Sequence, residues 1–291
     1  MTSPIHITLA FDDNYWAPAY TVMRSICLAS AQRRNMVFHL LHLPLTDEHR
    51  RDLEAITSEF GATLIWYDLS DNALFNDFVR ELPTSTKWPK VVYARLLVGT
   101  LLPPDIERLI YLDCDMLVRD PIEQLYHLDM EGHPLAAVRD SVAPFIVGKR
   151  DMRLNRDLFE YSDPYFNSGM MLIDLKAWRQ IDMAARVRQF ATDGVMQRLY
   201  YDQDMLNLIF RNNWLQLPWR WNTIDANAAH EAMNPAILHY TFVDKPWGIT
   251  AGIRRATAYA RFYRHVMTNE LFYRFARHRW QRWWKNKLGL K

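Results

Sequence analysis

The chain has 291 residues, 49% of them hydrophobic and 23% charged, with a formal net charge of +2. That content excludes a disordered chain and allows one large α/β domain, or one domain plus a small appendage. Two cysteines, Cys27 and Cys114, give neither a disulfide framework nor a zinc-site spacing, and no basic n-region or membrane-length apolar run suggests a signal peptide or a span.

Ile5 to Phe11 reads as a buried first strand ending at Asp12-Asp13-Asn14-Tyr15, and Pro18 suits the first turn of a helix running on toward Ala31. Met36 to Leu43 reads as a second strand. Thr46 then caps a helix with Asp47 and Glu48 in its first turn, and Gly61 ends it. Thr63 to Asp68 is a third strand, so the spacing predicts right-handed βαβ units and a parallel sheet. Asp71 to Pro89 is weakly patterned, and Val91 to Leu102 reads as a helix carrying Tyr93 and Arg95. Leu109 to Val118 is a central strand region interrupted by Asp113-Cys114-Asp115. Pro134 to Arg139 is another strand, ending at Asp140. Ser141 to Pro164 is long and polar, and a loop of that length is usually functional. Tyr165 to Asp174 starts polar and becomes a buried strand, followed by a helix from Lys176 to Ala191. Another helix begins near Asp202-Gln203-Asp204, with Asp202 near its N-cap. Trp214 to Trp221 is aromatic and irregular, and Ala236 to Thr241 is a late strand running into Lys245-Pro246-Trp247.

Asp113 and Asp115 share a face if their strand continues through them. If it stops, both stand at its carboxyl end, where open α/β sheets place ligands. Two carboxylates there repel unless a cation bridges them, and oxygen ligands suit Mg²⁺ or Mn²⁺. A solvated Asp-x-Asp turn is the competing reading. Asp12 to Tyr15, Asn167-Ser168-Gly169 and His239-Tyr240-Thr241 have the same design of polar residues beside an apolar strand, so a parallel sheet can gather them at one edge. His239 favours Mn²⁺, which accepts imidazole beside carboxylates more readily than Mg²⁺ does.

Six segments carry a resemblance to a known family. They are Phe11-Asp12-Asp13-Asn14-Tyr15, Tyr93-Ala94-Arg95, Tyr111-Leu112-Asp113-Cys114-Asp115, Phe166-Asn167-Ser168-Gly169, Asp202-Gln203-Asp204-Met205-Leu206-Asn207, and His239-Tyr240-Thr241 through Lys245-Pro246-Trp247. In this order they resemble glycosyltransferase family 8, and most of all its bacterial members that add glucose or galactose to lipopolysaccharide or lipooligosaccharide cores. A lone Asp-x-Asp also opens aspartate-nucleophile phosphatases, but there it usually sits on the first strand, and here three strands precede it.

The resemblance implies an α/β GT-A fold, a Rossmann-like single domain over residues 1–247 with a mainly parallel sheet. It also implies a retaining transfer from a UDP-sugar, with Mn²⁺ (or Mg²⁺ as second choice), to a lipid-linked oligosaccharide acceptor. Asp12, Asn14 and Tyr15 match the nucleoside-binding segment, with Tyr15 stacking on uracil. Arg95, Asn167, Asp202 and Gln203 match residues around the donor sugar, and Asp140 lies where the family places a sugar contact. Asp113, Asp115 and His239 match the metal ligands, Asp113 thereby also holding the donor, and Lys245 matches a pyrophosphate contact. Gln203 resembles the residue nearest the anomeric carbon. Its amide is a poor nucleophile, which favours same-face attack, with Asp140 and Asp202 as runner-up nucleophiles. Where the family commonly has glycine between His239 and Lys245, this chain has Phe242, which weakens the expected backbone approach to the pyrophosphate. The alternative function is a non-catalytic sugar-nucleotide-binding protein of the same fold.

Charge separates the two ends of the chain. Residues 248–291 hold eleven Lys and Arg against the single acidic Glu270, leaving 24 basic and 32 acidic residues in the rest. Leu271 to Leu288 has apolar residues at helical spacing, with Arg274, Arg277, Arg282 and Lys285 on the other face and Arg279 and Lys287 nearer the apolar one. The expectation is a helical tail on an anionic membrane surface, with Trp280, Trp283 and Trp284 at headgroup depth, on a cytoplasmic protein peripheral to the inner face of the membrane. A helix packed back on the domain is the competing reading. Nucleic acid is not an expected partner, because the acidic body repels phosphates.

Overall fold

A computed structural model describes residues 3–85, 89–141, 158–160, 162–241, 245–248 and 258–289. Phe242 and most of the 141–164 stretch lie outside these residues. Strand β1 (Ile5–Phe11) is followed by helix α1 (Trp16–Ala29), then by β2 (Met36–His42), α2 (Asp47–Phe60) and β3 (Thr63–Asp68). Helix α2 begins where the Thr46 side chain accepts from the His49 N–H, and it ends at Gly61, whose φ of +72° suits a residue without Cβ. The second half supplies β4 (Arg108–Leu112), β5 (Met116–Val118), β6 (Leu135–Arg139) and β7 (Phe166–Asp174), with short strands β8 (Leu215–Gln216), β9 (Thr223–Ile224) and β10 (Ile237–His239).

The large sheet has the order β3-β2-β1-β4-β7-β6-β8. Its first four strands are parallel, whereas β7 runs antiparallel to both β4 and β6. A small sheet, β5-β10-β9, stands beside it. Alternation along the strands divides the core in two. Ile7, Leu9, Ile110 and Leu112 pack toward α1 and α2, while Leu109, Tyr111, Met171 and Ile173 pack toward the 3₁₀ turns at Lys90–Leu97 that carry Arg95.

The helix expected from Lys176 to Ala191 is two helices, α3 (Leu175–Trp178) and α4 (Met183–Thr192). Arg179 turns back to donate to the carbonyls of Gly99, Pro103, Pro104 and Ile106, and Asp182 caps the new helix by accepting from the Ala185 N–H. Residues 90–101 are mostly 3₁₀ rather than one α-helix. Helix α5 (Tyr201–Ile209) starts one residue before Asp202, with Tyr201 held at φ +52°. That conformation costs a non-glycine residue about 1–2 kcal/mol and sits beside the site.

One polar line crosses the sheet away from the site. His6 Nδ1 lies 3.0 Å from His39 Nε2, and His39 Nδ1 lies 3.0 Å from the Tyr67 hydroxyl, so β1, β2 and β3 are stitched side chain to side chain. Burial, then the neighbouring His6, lowers the His39 pKa to about 4. The unfolded chain protonates this histidine near pH 6.5, so between those values the unfolded state binds more protons. This contribution to stability is complete above about pH 6.5 and is lost as pH falls toward 4, on the order of 2–3 kcal/mol. Urea melts at pH 7 and pH 5 should show the loss in the native chain, and His39→Gln should flatten it.

Two C-terminal helices, α6 (Ala258–Met267) and α7 (Asn269–Leu288), close the structure. Tyr263, Val266, Met267, Leu271, Phe272 and Phe275 join the core beside α1. Arg274 donates to both Asp52 carboxylate oxygens and to Glu48 at 2.7–2.8 Å. From Arg279 onward every described side chain is exposed. Among the described residues no helix is long and apolar enough to cross a membrane.

Candidate active site

The four polar clusters converge because of strand direction. The parallel strands β1 and β4 end side by side, at Asp12 and Asp113. Strand β7 runs the other way, so its beginning, not its end, meets them: the Asp113 N–H donates to the Gly169 carbonyl at 2.7 Å. The end of β6 pairs with the same segment, the Asp140 N–H donating to Tyr165 O. Strand β10 brings in the remaining cluster, with the Tyr240 N–H donating to Asp115 O at 2.9 Å. Asp113 and Asp115 therefore flank a turn after β4, at a strand end.

Asp113, Asp115 and His239 each offer a ligand atom within 4.8 Å of the others. His239 Nε2 is 3.2 Å from Asp115 Oδ1 and 3.9 Å from Asp113 Oδ2. A Cβ at Gly169 would lie 2.4 Å from His239 Cε1 and 2.8 Å from Asp113 Oδ2, so the space between the ligands exists because residue 169 has no side chain. Two carboxylates and one imidazole around such a space fit a borderline divalent cation. Lys245 Nζ donates to Asp115 Oδ2 at 2.7 Å and to the Tyr240 carbonyl, so this cation is tied to the carboxylate cluster. Burial alone would raise the Asp115 carboxyl, but the Lys245 ammonium, followed by the neighbouring His239 ring, outweighs it and holds it well below the usual range.

The other carboxylates form a second group. Asp140 Oδ2 accepts from Asn167 Nδ2 at 2.9 Å and from Gln203 Nε2 at 3.0 Å. Gln203 Oε1 accepts from the Ser168 N–H at 3.1 Å. Asp202 Oδ2 lies 3.0 Å from Arg95 Nε and accepts from Ser168 Oγ at 3.3 Å. Burial raises the Asp202 carboxyl to about 6 against the pull of Arg95, with the Asp113 charge adding to the rise.

Arg95 joins the two groups. Its Nη2 donates to Asp113 Oδ1 at 2.7 Å, its Nη1 to Ser168 O and Oγ, and its guanidinium lies over the Tyr111 ring. Burial opposes its charge, but Asp113 and Asp202 outweigh that and raise its pKa. All three nitrogens are engaged by the protein, so Arg95 stands as a buried organiser between Asp113 and Asp202.

On the β1 side, Asn14 donates to Asp12 through both its backbone N–H and its Nδ2. Tyr15 meets Trp247 edge-on at 5.9 Å. Its hydroxyl pKa is raised, first by burial and then by the charges of Asp115 and its neighbours, which puts Tyr15 beside the carboxylate cluster. The structure thus gathers Asp12, Asn14, Tyr15, Arg95, Asp113, Asp115, Asp140, Asn167, Asp202, Gln203, His239 and Lys245 around one sheet edge.

Four more residues build this site: Ser168 and Gly169 from the Asn167-Ser168-Gly169 cluster, and Tyr165 and Asn222, which no polar cluster marks. Tyr165 donates to Asp204 at 2.5 Å behind Gln203, Ser168 bridges Arg95, Asp202 and Gln203, and Gly169 opens the cluster. The fourth, Asn222, follows the irregular Trp214–Trp221 stretch, where no periodicity marks it. Cys114 is buried between Asp113 and Asp115, with its sulfur 3.8 Å from the Ala10 carbonyl. Burial and then Asp113 and Asp115 push its thiol well up, so it is no thiolate nucleophile. Cys114→Ser is therefore expected to keep native kcat within about twofold in a transfer assay, because the thiol takes no part in the proposed chemistry.

The family model described as Glycosyl transferase family 8 matches residues 6–251. General stress protein A of Bacillus subtilis (strain 168) is 28% identical over 261 residues, 84% of this chain and 87% of that protein. A lipopolysaccharide 1,2-glucosyltransferase of Escherichia coli is 26% identical over 272 residues, 89% of this chain and 77% of that one. The crystal structure of the galactosyltransferase LgtC in complex with donor and acceptor sugar analogs superposes with a TM-score of 0.74 at 25% identity, covering 90% of this chain and 95% of that one. A structure of an active-site glutamine-to-glutamate mutant of LgtC gives a TM-score of 0.75 at 24% identity, with the same coverage.

Proposed function

The chain belongs to glycosyl transferase family 8 and has the GT-A fold, and from that premise we propose that it is a retaining hexosyltransferase moving glucose or galactose from a UDP-sugar to a lipopolysaccharide-type, lipid-linked oligosaccharide. The observation that carries this reading is the Asp113, Asp115 and His239 cluster, opened by Gly169 and joined through Arg95 to Asp202. Asp113, Asp115 and His239 would hold Mn²⁺, or Mg²⁺ as a substitute. When bound, the ion stabilises negative charge on the departing UDP by several kcal/mol, roughly. Asp12, Asn14 and Tyr15 then serve the nucleoside, and Lys245 the pyrophosphate.

The side chains around the sugar favour same-face attack. Asp140 and Asp202 already accept hydrogen bonds from Asn167, Gln203, Arg95 and Ser168, which lowers their nucleophilicity. Gln203 is a neutral amide fixed at both ends. The acceptor hydroxyl forms the new bond to the anomeric carbon as the bond to phosphate breaks, and its proton passes to the leaving phosphate oxygen. Such preorganised dipoles can support a developing oxocarbenium ion without becoming covalent. A screen of UDP-sugars with Mn²⁺ against truncated lipopolysaccharide cores tests the reading: transfer with retention is expected. Metal-dependent donor binding without turnover on any such acceptor would leave only a sugar-nucleotide-binding protein.

The exposed half of α7 supports attachment to an anionic membrane surface, the inner face of the cytoplasmic membrane. Trp280, Trp283 and Leu288 are 61%, 53% and 63% exposed, a large apolar display on a helix that also carries Arg277, Arg282 and Lys285. Arg274 does not share this role, because Asp52 and Glu48 take its charge. Three basic residues near the leaflet contribute about 3 kcal/mol, lost at high salt. A chain truncated after His278 keeps the docked half of the helix. It should stay folded but sediment far less with phosphatidylglycerol vesicles, and unchanged partition would sink the idea.

A further inference from the structure

Asn222 is 2% exposed, in the 3₁₀ turn Trp219–Asn222 that precedes β9. Its Oδ1 lies 3.0 Å from His239 Nδ1, and its Nδ2 donates to Asn167 Oδ1 at 2.9 Å. We propose that Asn222 is a positioning residue that sets the tautomer of His239 and couples the cation ligands to the sugar-side residues Asn167, Asp140 and Gln203. The proposal rests on the metal reading above.

The direction of every amide in this chain of contacts follows from two backbone donors. The Gly169 N–H donates to Asn167 Oδ1 at 3.0 Å, which identifies that atom as the oxygen. Asn167 Nδ2 therefore faces Asp140 Oδ2 and Gln203 Oε1. The Ser168 N–H donates to Gln203 Oε1, which fixes the second amide the same way and leaves Gln203 Nε2 for Asp140. Because Asn167 presents an oxygen to Asn222, Asn222 must present its NH₂ there and turn its own oxygen to His239. An oxygen facing Nδ1 requires a proton on Nδ1. The Nε2 lone pair is then free on the side of Asp113 and Asp115, as a cation needs. One main-chain N–H on β7, that of Gly169, thus decides where a histidine proton sits, two amides away, and the Ser168 N–H orients Gln203 on the sugar side.

Removing the acceptor at residue 222 lets His239 adopt the other tautomer, with an N–H aimed into the cation space. Replacing the amide by a carboxylate keeps the acceptor for Nδ1 but removes the donor to Asn167. Asn167 then faces an oxygen and loses its bond to residue 222. The two substitutions therefore separate the halves of the relay.

The test is a titration of the metal-free chain with Mn²⁺, free ion followed by its paramagnetic resonance signal, with kcat and donor KM measured on the same samples. Asn222→Leu is expected to weaken Mn²⁺ binding by about 10- to 100-fold. Asn222→Asp is expected to keep near-native Mn²⁺ affinity while kcat falls roughly tenfold from the lost hydrogen bond. If folded Asn222→Leu binds Mn²⁺ as tightly as the native chain, or if Asn222→Asp loses Mn²⁺ while keeping its melting temperature, the proposal is overturned. If Asn222→Leu does not fold, the split in Asn222→Asp decides alone, and a native kcat there overturns the relay. Failure of the native chain itself to bind Mn²⁺ would instead overturn the metal reading.

Discussion

Gly169→Ala is expected to weaken binding of a divalent cation at the proposed Asp113, Asp115 and His239 site while leaving the fold standing. The backbone at residue 169 is not in the left-handed region, so alanine meets no dihedral penalty there, and the effect is one of space alone. The new methyl would sit 2.4 Å from His239 Cε1, 2.8 Å from Asp113 Oδ2 and 3.0 Å from Asn167 Oδ1, inside van der Waals contact with two proposed ligands and the relay amide. None of the three can yield freely: His239 is tied to Asn222, Asp113 to Arg95, and Asn167 to Asp140. Overpacking of this kind costs about 1–3 kcal/mol of stability. The larger effect falls on the cation, because displaced ligands lose affinity by at least the roughly 10- to 100-fold seen when their supports are removed. Paramagnetic titration with Mn²⁺ and a thermal melt on one preparation would check both, and native Mn²⁺ affinity in the alanine variant would show that the glycine is not what opens the site.

Local signals were legible in the sequence, and direction was not. Helix α2 could be read residue by residue, because Thr46, Asp47, Glu48 and Gly61 act on their own turns. The break in the helix after Trp178 was only partly a local matter: Asp182 is an N-cap signal, but for the start of α4. Long-range partners overrode the reading there, since what ends α3 is Arg179 reaching carbonyls some 75 residues away. The apolar run of β7 gives no hint that it lies antiparallel to β4, yet that reversal is what brings Asn167, Ser168 and Gly169 to Asp113. The carboxylates and His239 could be picked out because their chemistry is rare on an apolar strand. Asn222 could not, because an asparagine after an aromatic, irregular stretch looks like any turn residue. The C-terminal helix shows the same limit. Its basic face was legible, but that Arg274 belongs to Asp52 and Glu48 depends on where α2 packs.

Arg95→Met is expected to unfold the site before it affects any substrate. Arg95 is 5% exposed, and it is the group between Asp113 and Asp202 that makes their burial tolerable. With methionine in its place, Asp202, whose carboxyl burial already raises to about 6, loses the charge that opposes that rise and takes up a proton near neutrality. Breaking a buried ion pair from one side costs about 3–5 kcal/mol, most of it from the carboxylate left behind. Removing that carboxylate as well should therefore restore stability: Arg95→Met with Asp202→Asn is expected to melt above Arg95→Met alone. Activity should not follow, because Ser168 and Asp113 would still lack the fork that holds them. Arg95→Lys separates the same two effects from the other direction. A lysine keeps a positive charge but cannot donate to Asp113, Asp202 and Ser168 at once, so it should retain more stability than methionine while losing most of kcat. Urea denaturation of the four variants, Asp202→Asn included, yields the coupling energy between residues 95 and 202. A coupling near zero would mean that the guanidinium is an ordinary core residue here and not the brace between the two carboxylate groups.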